Sequence, residues 1–181
     1  TDFKTLVVES TGSGGGLKLF CAGIGVAYPD IANASRRIKR SEVDNCAKNG
    51  VLEIIEVKIG FDGIVLANSK MADVMQLNLR QIWLALAKQV LVDGQIVDNI
   101  YQNWADIDPA LPTERIEVLG PPPTSGTRDA FVELAMEGGC KTFAEIKVLK
   151  KSDKAAFKAV CHAVREDGAY VEAGENDNLI V

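Results

Sequence analysis

Apolar positions alternate with polar ones along Val51-Leu52-Glu53-Ile54-Ile55-Glu56-Val57-Lys58-Ile59, the period of a half-buried strand. A second apolar run, Ile64 to Ala67, follows Gly60-Phe61-Asp62-Gly63. Shorter runs at residues 4 to 8, Asp30 to Ala34, Ile116 to Leu119 and Phe143 to Leu149 also read as strands. Helical spacing appears at residues 14 to 22 and at Ser41 to Asn49, where Ser41 is the expected cap and Gly50 the stop. It returns at Leu77 to Val90, at Phe131 to Met136, and from Asp153 through Phe157, Val160 and Val164 towards Gly168. Residues 101 to 114 read as loop, with Pro109 and Pro112 breaking any helix, and Gly174 to Val181 as the start of another element.

Two junctions in this pattern carry chemistry. In the first, Glu9-Ser10-Thr11-Gly12-Ser13-Gly14-Gly15-Gly16 leads from a strand into a helix. In the second, Pro121-Pro122-Pro123-Thr124-Ser125-Gly126-Thr127-Arg128-Asp129 does the same. The first turn of a helix has unpaired N–H groups and a partial positive charge, which suits it to an anion. Ser125 and Thr127 add hydroxyl donors, Gly126 lets backbone come close, and Arg128 can fork onto two oxygens of an oxyanion, with Asp129 placed to orient it. Each junction taken alone is equally a helix cap or a flexible glycine and serine stretch. The first lacks the Gly-Lys-Ser/Thr of a Walker loop, and Leu17 stands where a dinucleotide fingerprint needs its third glycine. Two such helix starts in one chain suggest two lobes closing on one small anion.

The chain has 181 residues, 47% of them hydrophobic, enough for one large or two small domains. Its net charge of -5 argues against a nucleic-acid partner, which needs a basic face. Anion binding must therefore be local. No run reaches the length of a membrane span, so direct membrane insertion is not expected. Cys21 with Cys46 and Cys140 with Cys161 form sequence-near pairs, read either as two local disulfides in an oxidising compartment or as four buried thiols. The single His162 leaves zinc chemistry poorly supplied, and it reads as a core or surface histidine. Trp83 and Trp104 read as core residues before ligand-stacking ones.

Thr11 to Gly16, Asp30 to Arg36, Asn103 to Ile107 with Leu111-Pro112, and Ser125 to Phe131, in that order, resemble the periplasmic phosphate-binding proteins of ABC-type phosphate importers. The resemblance covers nearly the whole chain. It implies a type II periplasmic-binding-protein-like fold of two α/β lobes, with residues 1 to 62 part of the first and 63 to 181 most of the second. It also implies that the chain is truncated at both ends relative to the family. The implied function is non-catalytic: inorganic phosphate is held between the lobes and passed to the membrane permease subunits of the importer, in the periplasm, without a cofactor.

By motif, Ser13 and Gly14 fall in the first-lobe anion turn, Ser35 in another first-lobe contact, and Ser125, Gly126, Thr127 and Arg128 in the second-lobe turn. Some family members carry an Asp after the position of Ser35, accepting the proton of hydrogenphosphate, where this chain has Arg36, itself counted among the expected phosphate-binding residues. Asp62, in the inferred crossover between the lobes, is the candidate substitute acceptor, and its glycine neighbours fit a turn Asp equally well. Without that acceptor the selectivity for phosphate over sulfate, molybdate or tungstate is open. A phosphoryl hydrolase would need an activated nucleophile or a metal-held water, and no base or ligand cluster accompanies Ser125.

Overall fold

The computed structural model describes residues 12–174. The strand expected at residues 4 to 8, the start of the first glycine turn and the end of the chain lie outside them. The first helix, α1 (Gly12–Phe20), packs on α5 (Gly126–Phe131) and on α2 (Arg40–Lys48). The cap of α2 is Lys39 and not Ser41, because the Glu42 carboxylate reaches back to accept from the Lys39 N–H at 2.7 Å. Disulfide Cys21–Cys46 ties the end of α1 to α2.

Between α2 and α3 (Leu79–Leu86) the expected strands are absent, and residues 51 to 69 lie in neither helix nor strand. Asp30 to Ala34 is likewise irregular. Alternation makes a strand only where a neighbour supplies the ladder of hydrogen bonds, and none runs beside this segment among the described residues.

The core forms after residue 79. Helix α3 is capped by Asn78, whose side chain accepts from the Gln81 N–H at 3.0 Å. It buries Ile82, Trp83, Leu84 and Leu86 against Val90, Ile116, Met136, Ile146 and Phe157. The helix expected to reach Val90 stops at Leu86 and the chain turns into a hairpin, β1 (Gln89–Val92) and β2 (Gln95–Asp98). Asp93 (φ 49°) and Gly94 (φ 78°) make its two-residue turn, and both have the positive φ that such a turn demands.

A short α4 (Trp104–Ile107) interrupts the expected loop. Strand β3 (Val118–Gly120) then pairs in parallel with β4 (Tyr170–Glu172), in the register Val118 to Tyr170. Helix α5 continues through a π-helical turn, Val132–Met136, into α6 (Glu137–Cys140). The expected strand Phe143 to Leu149 is instead helix α7 (Ala144–Ser152). Helix α8 (Lys154–Cys161) starts at Asp153, whose carboxylate accepts from two first-turn N–H groups, and ends well before Gly168. Disulfide Cys140–Cys161 joins α6 to α8. Both cysteine pairs are therefore bonded, and the four-thiol reading is excluded. The architecture is α/β. Among the described residues no helix is long and apolar enough to cross a membrane.

Candidate functional site

The two glycine turns, more than a hundred positions apart, meet face to face. The Gly14 N–H points at Thr124 O, 3.3 Å away. Ser13 Oγ accepts from the Ser35 N–H at 3.0 Å and lies 3.2 Å from Ser35 Oγ. Gly126 packs against both serines: a Cβ built there would stand 2.2 Å from Ser13 Oγ and 2.2 Å from Ser35 Oγ. Only glycine fits this approach without displacing the hydroxyls. Ser13, Ser125 and Gly126 are buried, whereas Ser35 opens to solvent. Ser125 caps α5, accepting from the Thr127 N–H at 3.1 Å.

The charged groups are disposed differently from the sequence expectation. Arg128 turns away from the serines. Its guanidinium lies 4.2 Å above the Tyr170 ring and donates to Pro121 O at 3.2 Å, an oxygen that also accepts from the Tyr170 hydroxyl at 2.8 Å. Burial, first, raises the Tyr170 phenol above its ordinary value, against the lowering influence of Arg128.

Asp129 orients Arg36 and not Arg128. Arg36 Nε donates to Asp129 Oδ2 at 2.7 Å, and Lys39 Nζ reaches the same oxygen at 2.9 Å. Glu42 grips the other edge of the guanidinium through both carboxylate oxygens, at 2.7 and 2.9 Å. The hydrogen bond to Glu42 is the main reason that Arg36 is held even more firmly protonated than usual, and the same bond lowers Glu42 below the ordinary carboxylate range. An open cleft of about 340 Å³ adjoins this cluster, lined by Lys39, Asp129, Glu133, Lys158 and His162.

Asp62 does not join the cluster. It is exposed, and its carboxylate accepts from the Gly63 N–H next to it, at 2.8 Å. The plainer turn reading describes it, since an Asx side chain beside glycine bonds its own backbone first. Sequence reasoning passed over Glu42 and Lys39. The one local signal for Glu42 was its place three residues after the cap of α2, and for Asp129 its partner is 93 positions away. Trp83 and Trp104 are buried, and His162 pairs with Glu137 at 2.9 Å where α8 ends.

Known proteins extend this picture. The chain is 34% identical over 128 residues to protein SphX of Synechococcus elongatus, which covers 71% of this chain and 34% of that protein. It is likewise 34% identical over 130 residues to protein SphX of Synechocystis. It is 30% identical over 154 residues to the phosphate-binding protein PstS of Staphylococcus saprophyticus, covering 84% of this chain and 42% of that protein. The chain thus spans between a third and a half of the length of these relatives. No solved structure matches it. A PBP superfamily domain matches residues 1–180, and the chain belongs to that superfamily.

Proposed function

We propose that this chain is part of a non-catalytic solute-binding protein that holds inorganic phosphate between the turns at Ser13-Gly14 and Ser125-Gly126-Thr127. Ser35 completes the donor set, and Arg36, whose Nη2 lies beside Gly14, supplies the cation, while Arg128 is held on Tyr170 and Pro121. One observation carries the reading: Gly126 lies so close to Ser13 and Ser35 that the two distant helix starts are in direct contact. Backbone N–H groups and hydroxyls converging there can hold a tetrahedral anion inside a chain of net charge -5, because such donors act over a few Å. Similarity to a protein named for phosphate binding supports phosphate as the anion. On this reading residues 1 to 62 and 63 to 181 belong to two lobes, the protein works in the periplasm, and it delivers phosphate to the permease subunits of an ABC importer.

A second reading, another tetrahedral oxyanion such as sulfate, molybdate or tungstate, keeps its place because the Asp62 carboxylate bonds its neighbour Gly63 and none of the serines among the described residues. Titration calorimetry on the full-length protein, with phosphate and then with sulfate as competitor, separates the two. Gly126→Ala tests the site itself. Forcing a methyl group onto Ser13 and Ser35 costs about 1–3 kcal/mol by overpacking, so phosphate affinity is expected to drop about tenfold or more. Wild-type affinity in that variant would defeat the proposal.

A further inference from the structure

The arginine beside the serines is held in an unusual way. A guanidinium has five N–H donors. On Arg36, Nε donates to Asp129, Nη1 donates to Arg37 O at 3.0 Å and to Glu42 at 2.9 Å, and Nη2 gives one hydrogen to Glu42 at 2.7 Å. The other hydrogen of Nη2 has no partner among the described residues. Nη2 is also the nitrogen nearest the first turn of α1, 3.9 Å from where a Cβ on Gly14 would stand. Four donors are occupied, and the fifth is on the nitrogen that lies beside Gly14, on the same edge of the guanidinium as Nε.

The two carboxylates come from different directions. Glu42 is in the first turn of α2 and is itself fixed by the Lys39 N–H, while Asp129 is in the first turn of α5. The side chains of Arg36, Glu42 and Asp129 are 11, 20 and 26% exposed, so the cluster is shielded enough to hold its geometry. Formally Arg36 and Lys39 balance Glu42 and Asp129, which leaves this corner without net charge.

We propose that Glu42 and Asp129 are positioning residues, clamping Arg36 from two sides so that it offers one directed N–H to an oxyanion at the Ser13-Gly14 turn. The inference rests on the reading of that turn as the phosphate site. Arg36 then acts as a rigid hydrogen-bond donor more than as a free charge. The planar fork matters, and lysine cannot replace it. Asp129 further makes the aim of Arg36 depend on α5 being seated against the segment before α2. The donor points correctly only when both anion turns are together.

A double-mutant cycle tests this in the full-length protein, read by calorimetric titration with inorganic phosphate, with thermal midpoints recorded for each variant. Asp129→Asn and Glu42→Gln are each expected to weaken phosphate binding about tenfold, the scale of one charge-assisted hydrogen bond. That loss should vanish when Arg36 is already Met, and Arg36→Lys should bind as weakly as Arg36→Met. A brace that only stabilises the fold would instead lower the thermal midpoint and give the same loss with or without Arg36. Wild-type affinity in both carboxylate variants, a loss that persists in the Arg36→Met background, or full affinity in Arg36→Lys would each overturn the proposal. Absence of phosphate binding in the wild-type protein would overturn the site reading beneath it, which is a different result from binding that ignores Asp129 and Glu42.

Discussion

Residues 12–78 and 79–174 each contain one disulfide and one of the two anion turns, yet they are held by different forces. In the second region Trp83, Leu86, Val90, Ile116, Met136, Ile146 and Phe157 are all essentially inaccessible, and every helix from α3 to α8 adds a buried residue to the core around them. In the first, the buried residues are Ser13, Leu17, Cys21 and Cys46, while Val26, Ile55, Ile59, Phe61 and Met71 are each more than 85% exposed. A cluster of one buried leucine and a disulfide cannot match a core built on aromatic and branched side chains. The first region is held instead by Cys21–Cys46, by the packing of α1 on α5, and by the charges around Arg36. Here covalent and polar bonds do what apolar burial does in the other region.

Removing the bridges one at a time should break this comparison apart most strongly. A disulfide closing a loop of twenty-odd residues contributes about 3 kcal/mol, largely through the unfolded chain. Replacing Cys140 and Cys161 by Ala is expected to lower the stability of residues 79–174 by about that amount in denaturant titrations. Replacing Cys21 and Cys46 should leave that unfolding transition nearly in place and instead expose residues 21–50 to limited proteolysis. Equal destabilisation of the core transition by both replacements would show that the two regions fold as one cooperative unit.

Acid separates the regions more gently. Burial raises the Glu137 carboxyl, but hydrogen bonds from Lys150, His162 and Lys141 outweigh it and bring it down from 4.5 to about 2. A carboxyl depressed in the folded state adds stability that is fully present above its unfolded value and is lost as pH falls through the folded one. The joint between α6, α7 and α8 should therefore weaken as pH drops from 4.5 to about 2. Thermal melts of Glu137→Gln across that window should show a shallower acid slope than the wild type. An unchanged slope would mean that the three partners do not act on Glu137 in solution. The smallest effect is expected at Asp62, where Asp62→Asn should change phosphate affinity and stability by less than about 0.5 kcal/mol, since the side chain is exposed and bonds only its neighbour among the described residues. A collapse of binding there would return Asp62 to the site.

The same contrast explains what could be read from the sequence. The meeting of the Ser13 and Ser125 turns followed from their shared chemistry, and the stop of α2 from Gly50. Cysteine spacing marked the two pairs, but it left bonded and free thiols equally open. Local alternation misled at Val51 to Ile59, because a strand is a property of two segments and the second was never in the pattern. It misled again at Phe143 to Leu149, where Ala144, Ile146 and Val148 alternate. Of these three the core takes only Ile146, with Phe143 and Leu149 packed beside it at helical spacing, and Val148 stands 65% exposed on the outer side of a helix. The Asp93-Gly94 pair between apolar runs is a strong hairpin signal that the helical spacing of Leu77 to Val90 masked. Arg36 is legible as a candidate anion ligand standing in place of the family's Asp, but nothing local reveals that its partners are Glu42 and a residue on α5.

Both indoles of the chain, Trp83 and Trp104, are sealed within the second region. Intrinsic emission is therefore a one-sided witness. It follows the loss of the aromatic core and is blind to the loosening of the disulfide-tied half. A single fluorescence curve would look like the unfolding of the whole molecule while describing only the part that contains the tryptophans.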